Sequence, residues 1–330
     1  MPTLIQTIAA NKVRKTFGSG DKKRDAGQTT PNDILRFDNI LYGNKGIQSG
    51  GIKSLSKKYR QKYQLLDVYR PKDALSAENA LKKLPVIVSV HGGAWVYGDK
   101  DVYQYYCMKL AQRGFAVVNF SYRLAPESKF PASLEDTENV FRWLANPDNA
   151  EKYGFDLNNV FAVGDSAGAH LLTLYASAIT NKDYAKNYNF IADGIFSTKK
   201  IQLRAVAINC GKYNMSAELE KDKQMQFLLS GLMPQKGTKE ELDLINAHTH
   251  ITKDFPPAFV MTCFGDFLYD QAPVICQALE AAGVEHEYHC YGSQEKPLWH
   301  VFHCDPKLPQ AVTCNDDECA FFKNHCQPIN

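Results

Sequence analysis

The apolar run Val160 to Val163 leads straight into Gly164-Asp165-Ser166-Ala167-Gly168, and a proline-free stretch rich in alanine and leucine continues to about Ala178. That order is strand, sharp turn, helix, the local setting of a nucleophile elbow, with Ser166 at its tip. A chain that passes from strand to helix within one residue crowds the backbone on both sides of the serine, and only residues without a β-carbon fit there. A Gly-x-Ser-x-Gly pentapeptide arises by chance in about one chain in ten of this length at ordinary glycine and serine usage. The rest of the sequence must therefore supply a context.

That context is an alternation of strands and helices. A strand at Leu65-Leu66-Asp67-Val68-Tyr69-Arg70 stops at Pro71, and a nearly continuous β-branched run, Pro85 to Val90, has the composition of a strand buried on both faces. The periodicity predicts a helix over Val102 to Arg113, a strand at Phe115 to Phe120 and a helix over Pro131 to Leu144. Strands are expected again at Ala205 to Asn209, Ala258 to Cys263 and Glu287 to Tyr291. Such alternation implies an α/β fold, a mostly parallel central sheet with helices on both faces. Between Gly211 and Pro256 the alternation lapses, longer than an ordinary connection. Residues 211–255 read as an inserted cap, and Phe227-Leu228-Leu229 with Leu232 and Met233 suit either an acyl pocket or plain amphipathic packing. Residues 1–60 show broken periodicity, with Gly18-Ser19-Gly20, Thr30-Pro31-Asn32-Asp33 and Gly46 to Gly51 as punctuation, and predict short helices and connections. The expected organisation is an arm, 1–62, followed by a catalytic domain, 63–330.

Charge separates the two parts. Residues 1–62 carry 13 Lys and Arg against 4 Asp and Glu, so a net charge of +2 hides an arm of +9 and a body of −7. Lys22-Lys23-Arg24 and Lys57-Lys58-Tyr59-Arg60 lack any nucleic-acid recognition motif, and a solvated or body-docking arm is the expectation. No stretch has the length and apolarity of a membrane span, and the N-terminus lacks the features of a secretory signal. Nine cysteines, scattered and odd in number, read as free thiols in a reducing cytoplasmic compartment. Cys304, Cys314, Cys319 and Cys326, with His303 and His325, match no zinc-ligand spacing, so no metal is expected. A homodimer is compatible with the sequence; nucleic-acid and membrane partners are not expected.

A serine hydroxyl needs a base, an orienting acid and preorganised donors for a developing oxyanion. The amide of Ala167, at the start of the helix, and those of Gly92 and Gly93, directly after a central strand, lie at one sheet edge and are the expected donors. Trp95 and Tyr97 follow that turn and read as pocket walls. Asp266 and Asp270 both follow a later strand, but Asp270 precedes the helical stretch from Gln271 and is accounted for as its N-cap, which favours Asp266. His300 and His303 come after the last strand, where the chain order requires the base. The pattern leaves both open, while His170, His248, His250 and His289 fall on a helix, in the cap segment or in a strand.

The segments His91-Gly92-Gly93-Ala94-Trp95, Tyr122-Arg123-Leu124-Ala125-Pro126-Glu127, Phe130-Pro131-Ala132, Gly164-Asp165-Ser166-Ala167-Gly168 and Asp266-Phe267-Leu268-x-Asp270 together resemble the hormone-sensitive-lipase-like carboxylesterases of the α/β-hydrolase superfamily. The resemblance runs from about Leu65 to Phe322. It implies that Asp266 orients the base, that the base is His300, and that the N-terminal arm contributes to a cap. The chain departs from the family pattern at Ala94, Phe267 and Val301, where the family has glycine, proline and glycine. The implied activity is hydrolysis of short-acyl carboxylic esters through an acyl-enzyme, with a small ester as substrate and no cofactor. Two other readings keep the same motifs: an arylformamidase or amide hydrolase, and a non-catalytic ligand-binding protein on a hydrolase fold.

Overall fold

The computed structural model describes residues 2–43, 63–72, 81–198, 200–216 and 222–328. The glycine-rich 46–51 and the basic 57–60 lie outside the described residues. An eight-stranded sheet runs through the molecule in the order β1 (Ile34–Leu41), β2 (Leu65–Pro71), β4 (Ala116–Phe120), β3 (Leu84–Val90), β5 (Phe155–Asp165), β6 (Leu203–Asn209), β7 (Ala258–Cys263), β8 (His286–Tyr291). From β4 onward every neighbouring pair is parallel, whereas β1 and β2 pair antiparallel with each other and β2 with β4. The fold is that of an α/β-hydrolase.

The strands read from the apolar runs recur within a few residues of their expected limits. Along β3 successive side chains enter opposite layers: Val86, Val88 and Val90 join one core and Ile87 the other. Helices α3 (Ala132–Leu144), α5 (Ala167–Thr180) and α8 (Gln271–Ala281) cover the first face, α2 (Lys100–Ala111) and α9 (Pro309–Asn324) the second. The β-branched runs are thus buried on both sides, which is why they alternate so little.

The N-terminal arm differs from its expectation of short helices. Helix α1 (Leu4–Asp25) has 22 residues, opens with a capping box between Thr3 and Gln6, and places Lys22, Lys23 and Arg24 in its last turn. Its buried residues are Gln6, Ala10 and Val13, and the exposed Phe17 continues the same face, a spacing of four, three and four. Gly18 and Gly20, read as turn punctuation, lie inside this helix. Strand β1 lies beyond it, with a register shift between Phe37 and Ile40 where Asn39 takes φ +59° and donates its amide to Asp67 Oδ1. That bulge, with charged residues facing outward, hides the strand from a period-two search.

In 211–255 the described residues form α6 (Lys223–Leu232), α7 (Lys239–Leu244) and a single 3-10 turn, Ala247–His250. Leu228, Leu229, Leu232 and Met233 are buried in the first core, and α6 packs on α1, so amphipathic packing is what this cluster does.

A β-carbon on Gly168 would stand 2.0 Å from the Val90 carbonyl oxygen, whereas one on Gly20 of α1 would meet no atom within 4 Å. Gly168→Ala should therefore lower the unfolding free energy in urea by about 3 kcal/mol or more, and Gly20→Ala should raise it by about 0.5–1 kcal/mol through helix propensity. Equal effects at the two sites would contradict the packing account.

Candidate active site

The elbow is built as its glycines require. Ser166 takes φ +53° and ψ −120°, between the end of β5 and the first turn of α5, and its amide donates to the Asn209 carbonyl at 2.9 Å. A β-carbon on Gly164 would fall 2.6 Å from the Gly168 carbonyl oxygen, so both flanking glycines are fixed by backbone against backbone.

His300 Nε2 lies 2.9 Å from Ser166 Oγ and His300 Nδ1 lies 2.7 Å from Asp266 Oδ1. An ionised carboxylate only accepts, so the proton resides on Nδ1, Nε2 accepts, and the serine hydroxyl donates to it. Asp266 is held in the turn after β7 by the Leu268 amide, which donates to Oδ1 at 2.8 Å, and Thr262 Oγ1 donates to Oδ2 at 3.3 Å. Burial raises its pKa, but hydrogen bonds from His300, the Cys210 thiol and the Leu268 amide, with the attraction of the His300 ring, outweigh that and hold the carboxyl below its usual range. The loop bearing His300 is tied down by the Leu298 amide donating to the Phe264 carbonyl at 2.6 Å. Val301, where the resembling family has glycine, sits in the left-handed region at φ +55°, ψ +35°, an uncommon conformation for a β-branched residue.

His303, the other candidate base, is fully buried against the Tyr106 ring and the Cys304 thiol, with its pKa lowered to about 3 by burial. Asp270 occupies the N-cap position of α8 but makes no capping hydrogen bond. Among the described residues, two groups bring three metal-capable donors within 4.8 Å of one another: Asp165, His303 and Cys304, and Cys210 with Asp266 and His300. The second is the hydrogen-bonded pair itself with an adjacent thiol.

A cavity of about 320 Å³ opens over Ser166 and His300. Gly92, Gly93 and Tyr97 line it. Trp95 does not; its indole is buried and Nε1 donates to His170 Nδ1 at 3.1 Å, while His170 Nε2 donates to the Ile245 carbonyl. Trp95 is a core residue that braces the elbow helix. Gly92 also departs from its expected place among the oxyanion donors, because its amide already donates to Tyr103 Oη at 2.9 Å. Among the described residues, the Gly93 and Ala167 amides have no such partner.

Several lining residues have no counterpart in the sequence reading. Thr16, Phe17, Gly20, Asp21 and Arg24 of α1 form one side, and Phe267 and Trp299 stand exposed at the rim. Asp21 accepts from Tyr97 Oη at 2.7 Å and pairs with Arg24 at 3.0 Å. The spacing of Gln6, Ala10, Val13 and Phe17 is the signal that could have placed α1 as a helix, though not over the site.

A triad-like chain of hydrogen bonds on a nucleophile elbow, at the C-terminal edge of a mostly parallel sheet, defines an α/β-hydrolase of the serine type. The BD-FAE family model matches residues 66–272, and the chain belongs to that family and to the hormone-sensitive-lipase-like carboxylesterases. It is 27% identical over 239 residues, 69% of each chain, to the versiconal hemiacetal acetate esterase of Dothistroma septosporum. To the ethyl acetate hydrolase of Pseudomonas putida it is 33% identical over 169 residues, 47% of this chain and 51% of that one. Two further curated relatives, esterase LipC of Mycobacterium tuberculosis and the arylacetamide deacetylase of Bos taurus, are matched over about a quarter of their length. Esterase B of Lactobacillus rhamnosis, solved with a tributyrin phosphonate inhibitor, shares the fold with a TM-score of 0.79 at 24% identity, over 98% of this chain and 96% of that one.

Asp165, next to Ser166, is fully buried, and burial pushes its carboxyl up to about 7 from 3.8. Between those values the folded protein keeps a proton that the unfolded chain has released, so this group lowers stability as pH rises through the window and adds no further loss above about 7. The unfolding free energy of Asp165→Asn relative to wild type should therefore grow between pH 4.5 and pH 7 at up to about 1.4 kcal/mol per pH unit and level off beyond. A difference independent of pH in urea melts would refute this.

Proposed function

We propose that this protein is a serine carboxylic ester hydrolase in which Ser166, His300 and Asp266 act as nucleophile, base and orienting acid on small, short-acyl esters. The carrying observation is the continuous hydrogen-bond path Ser166 Oγ to His300 Nε2, His300 Nδ1 to Asp266 Oδ1, at 2.9 and 2.7 Å. As Oγ attacks the ester carbonyl, its proton passes to Nε2, and the buried carboxylate stabilises the imidazolium. The oxyanion is taken by the Gly93 and Ala167 amides, the latter helped by the first turn of α5. His300 returns the proton to the departing alcohol, and a water activated by the same nitrogen releases the acid.

A cavity of about 320 Å³ is at the small end for ligand sites and supports short acyl groups. Tyr97 as a wall, and α1 on one side of the cavity, support the reading of the basic arm, 1–62, as part of a cap. The nine free thiols support a reducing, cytoplasmic setting; no helix among the described residues is long and apolar enough to cross a membrane.

Ser166→Ala, His300→Ala and Asp266→Asn should each lower kcat for p-nitrophenyl butyrate by about 10³-fold or more, with His303→Ala keeping the wild-type pH profile of kcat if it folds. Full turnover in Ser166→Ala would exclude the mechanism. Acetyl and butyryl esters should be cleaved faster than the dodecanoyl ester, and the reverse order would exclude the short-acyl assignment.

A further inference from the structure

The hydroxyl of Tyr103, on α2, joins the two halves of the site. It accepts from the Gly92 amide at 2.9 Å and donates to Asp165 Oδ2 at 2.7 Å. Gly92 immediately precedes Gly93, the donor on the β3 side, and Asp165 immediately precedes Ser166. The junction is close: a β-carbon on Gly92 would lie 2.8 Å from Tyr103 Oη, 2.8 Å from Asp165 Oδ2 and 2.9 Å from the Asp165 carbonyl oxygen. Gly92 is therefore a glycine because a phenol and a carboxylate converge on it. All three residues are buried or line the cavity floor.

We propose that Tyr103 is a positioning residue, which through Gly92 and Asp165 fixes the distance between the Gly93 oxyanion donor and the Ser166 nucleophile. The proposal rests on the esterase reading above. The Gly92 N–H can only donate, so the Tyr103 oxygen accepts from it and the phenol's own hydrogen is left to point at Asp165 Oδ2. One hydroxyl hydrogen thus selects the orientation of both bonds, and its loss frees the loop after β3 from the elbow. Such a donor acts when charge develops on the carbonyl oxygen and not when substrate binds, so a small displacement reduces kcat while sparing KM.

The test is steady-state hydrolysis of p-nitrophenyl butyrate by wild type, Ser166→Ala, Tyr103→Phe, Asp165→Asn and the Tyr103→Phe/Asp165→Asn double variant. Inhibition by an alkylboronic acid, whose tetrahedral adduct places an oxygen at the oxyanion position, is measured alongside. Tyr103→Phe should lower kcat about 10- to 100-fold with KM within about twofold, and weaken the boronic acid by a similar factor. Asp165→Asn should lose less, and the double variant should be no worse than Tyr103→Phe, since both remove one junction. A Tyr103→Phe kcat within twofold of wild type overturns the proposal. So do losses that multiply in the double variant, or a kcat loss without weaker boronic acid binding. Should Tyr103→Phe fail to fold, the isosteric Asp165→Asn decides by the same comparison of kcat and boronic acid affinity. Wild type without Ser166-dependent turnover overturns the esterase reading and this proposal together; intact turnover with Tyr103→Phe unchanged overturns this proposal alone.

Discussion

The first turn of α5 touches the end of β3 backbone to backbone, and this contact requires that residue 168 have no side chain. With a β-carbon placed 2.0 Å from the Val90 oxygen and 2.6 Å from the His91 oxygen, the helix could not descend to its present depth. Its depth sets where Ser166 stands relative to the loop after β3, and that loop carries Gly92 and Gly93. The parallel pairing of β3 with β5, from Leu84 opposite Phe155 to Val90 opposite Gly164, brings both strands to an end at the same level. Strand register and one missing β-carbon together create the space between nucleophile and donors. The later strands deliver the remaining groups to the same edge, β7 the turn with Asp266 and the segment beyond β8 the loop with His300.

Two buried aspartates next to this space are shifted in opposite directions by their surroundings. Asp266 receives hydrogen bonds from an imidazole, a thiol and a backbone amide, and these overcome burial to keep it ionised. Asp165 is buried with the Tyr103 hydroxyl as its one hydrogen-bond donor among the described residues, and burial wins. The contrast follows from the number of donors each carboxylate finds together with the fuller burial of Asp165. A carboxylate kept ionised beside an imidazole serves to stabilise a cation. One poised near neutrality beside a glycine amide and a phenol serves as the end of a hydrogen-bond chain. The same residue type at one sheet edge thereby takes two different parts.

The central strands, the elbow and the order Ser166, Asp266, His300 were legible because each depends on local chemistry: β-branched runs, glycines that backbone crowding demands, and chain order. The choice between His300 and His303 was not a matter of pattern. The two are three residues apart on a turn that begins with a left-handed Val301, and only the fold directs one ring to Ser166 and buries the other beside Tyr106. Gly92 and Trp95 illustrate a further limit. Gly92 lines the cavity and Trp95 does not, but the partners that claim the amide of one and the indole of the other, Tyr103 and His170, come from helices 11 and 75 residues away. Strand β1 escaped detection because a bulge at Asn39 interrupts its alternation, and α1 because Gly18 and Gly20 look like a turn.

Those two glycines sit in a helix that tertiary contacts hold in place of propensity. Arg14 donates to both oxygens of Glu127 at 2.8 and 2.6 Å and to the carbonyls of Val96 and Ala125, so the middle of α1 is anchored to the loop that follows the oxyanion turn and to the segment after β4. Arg24 fastens the other end through the Val102 carbonyl, while its ion pairs with Asp21 and Asp25 stay within α1. Within α1, Arg14 and Arg24 are consequently spent on the body, the first of them on a body glutamate, while Lys12, Lys15 and Lys23 remain on the exposed face. The charge asymmetry seen in the sequence is in this part a docking device: arginines, whose planar forks match carboxylates and carbonyls, point inward, and lysines point outward. Because Phe17, Asp21 and Arg24 also line the cavity, whatever holds α1 on the body also sets the shape of the space above Ser166.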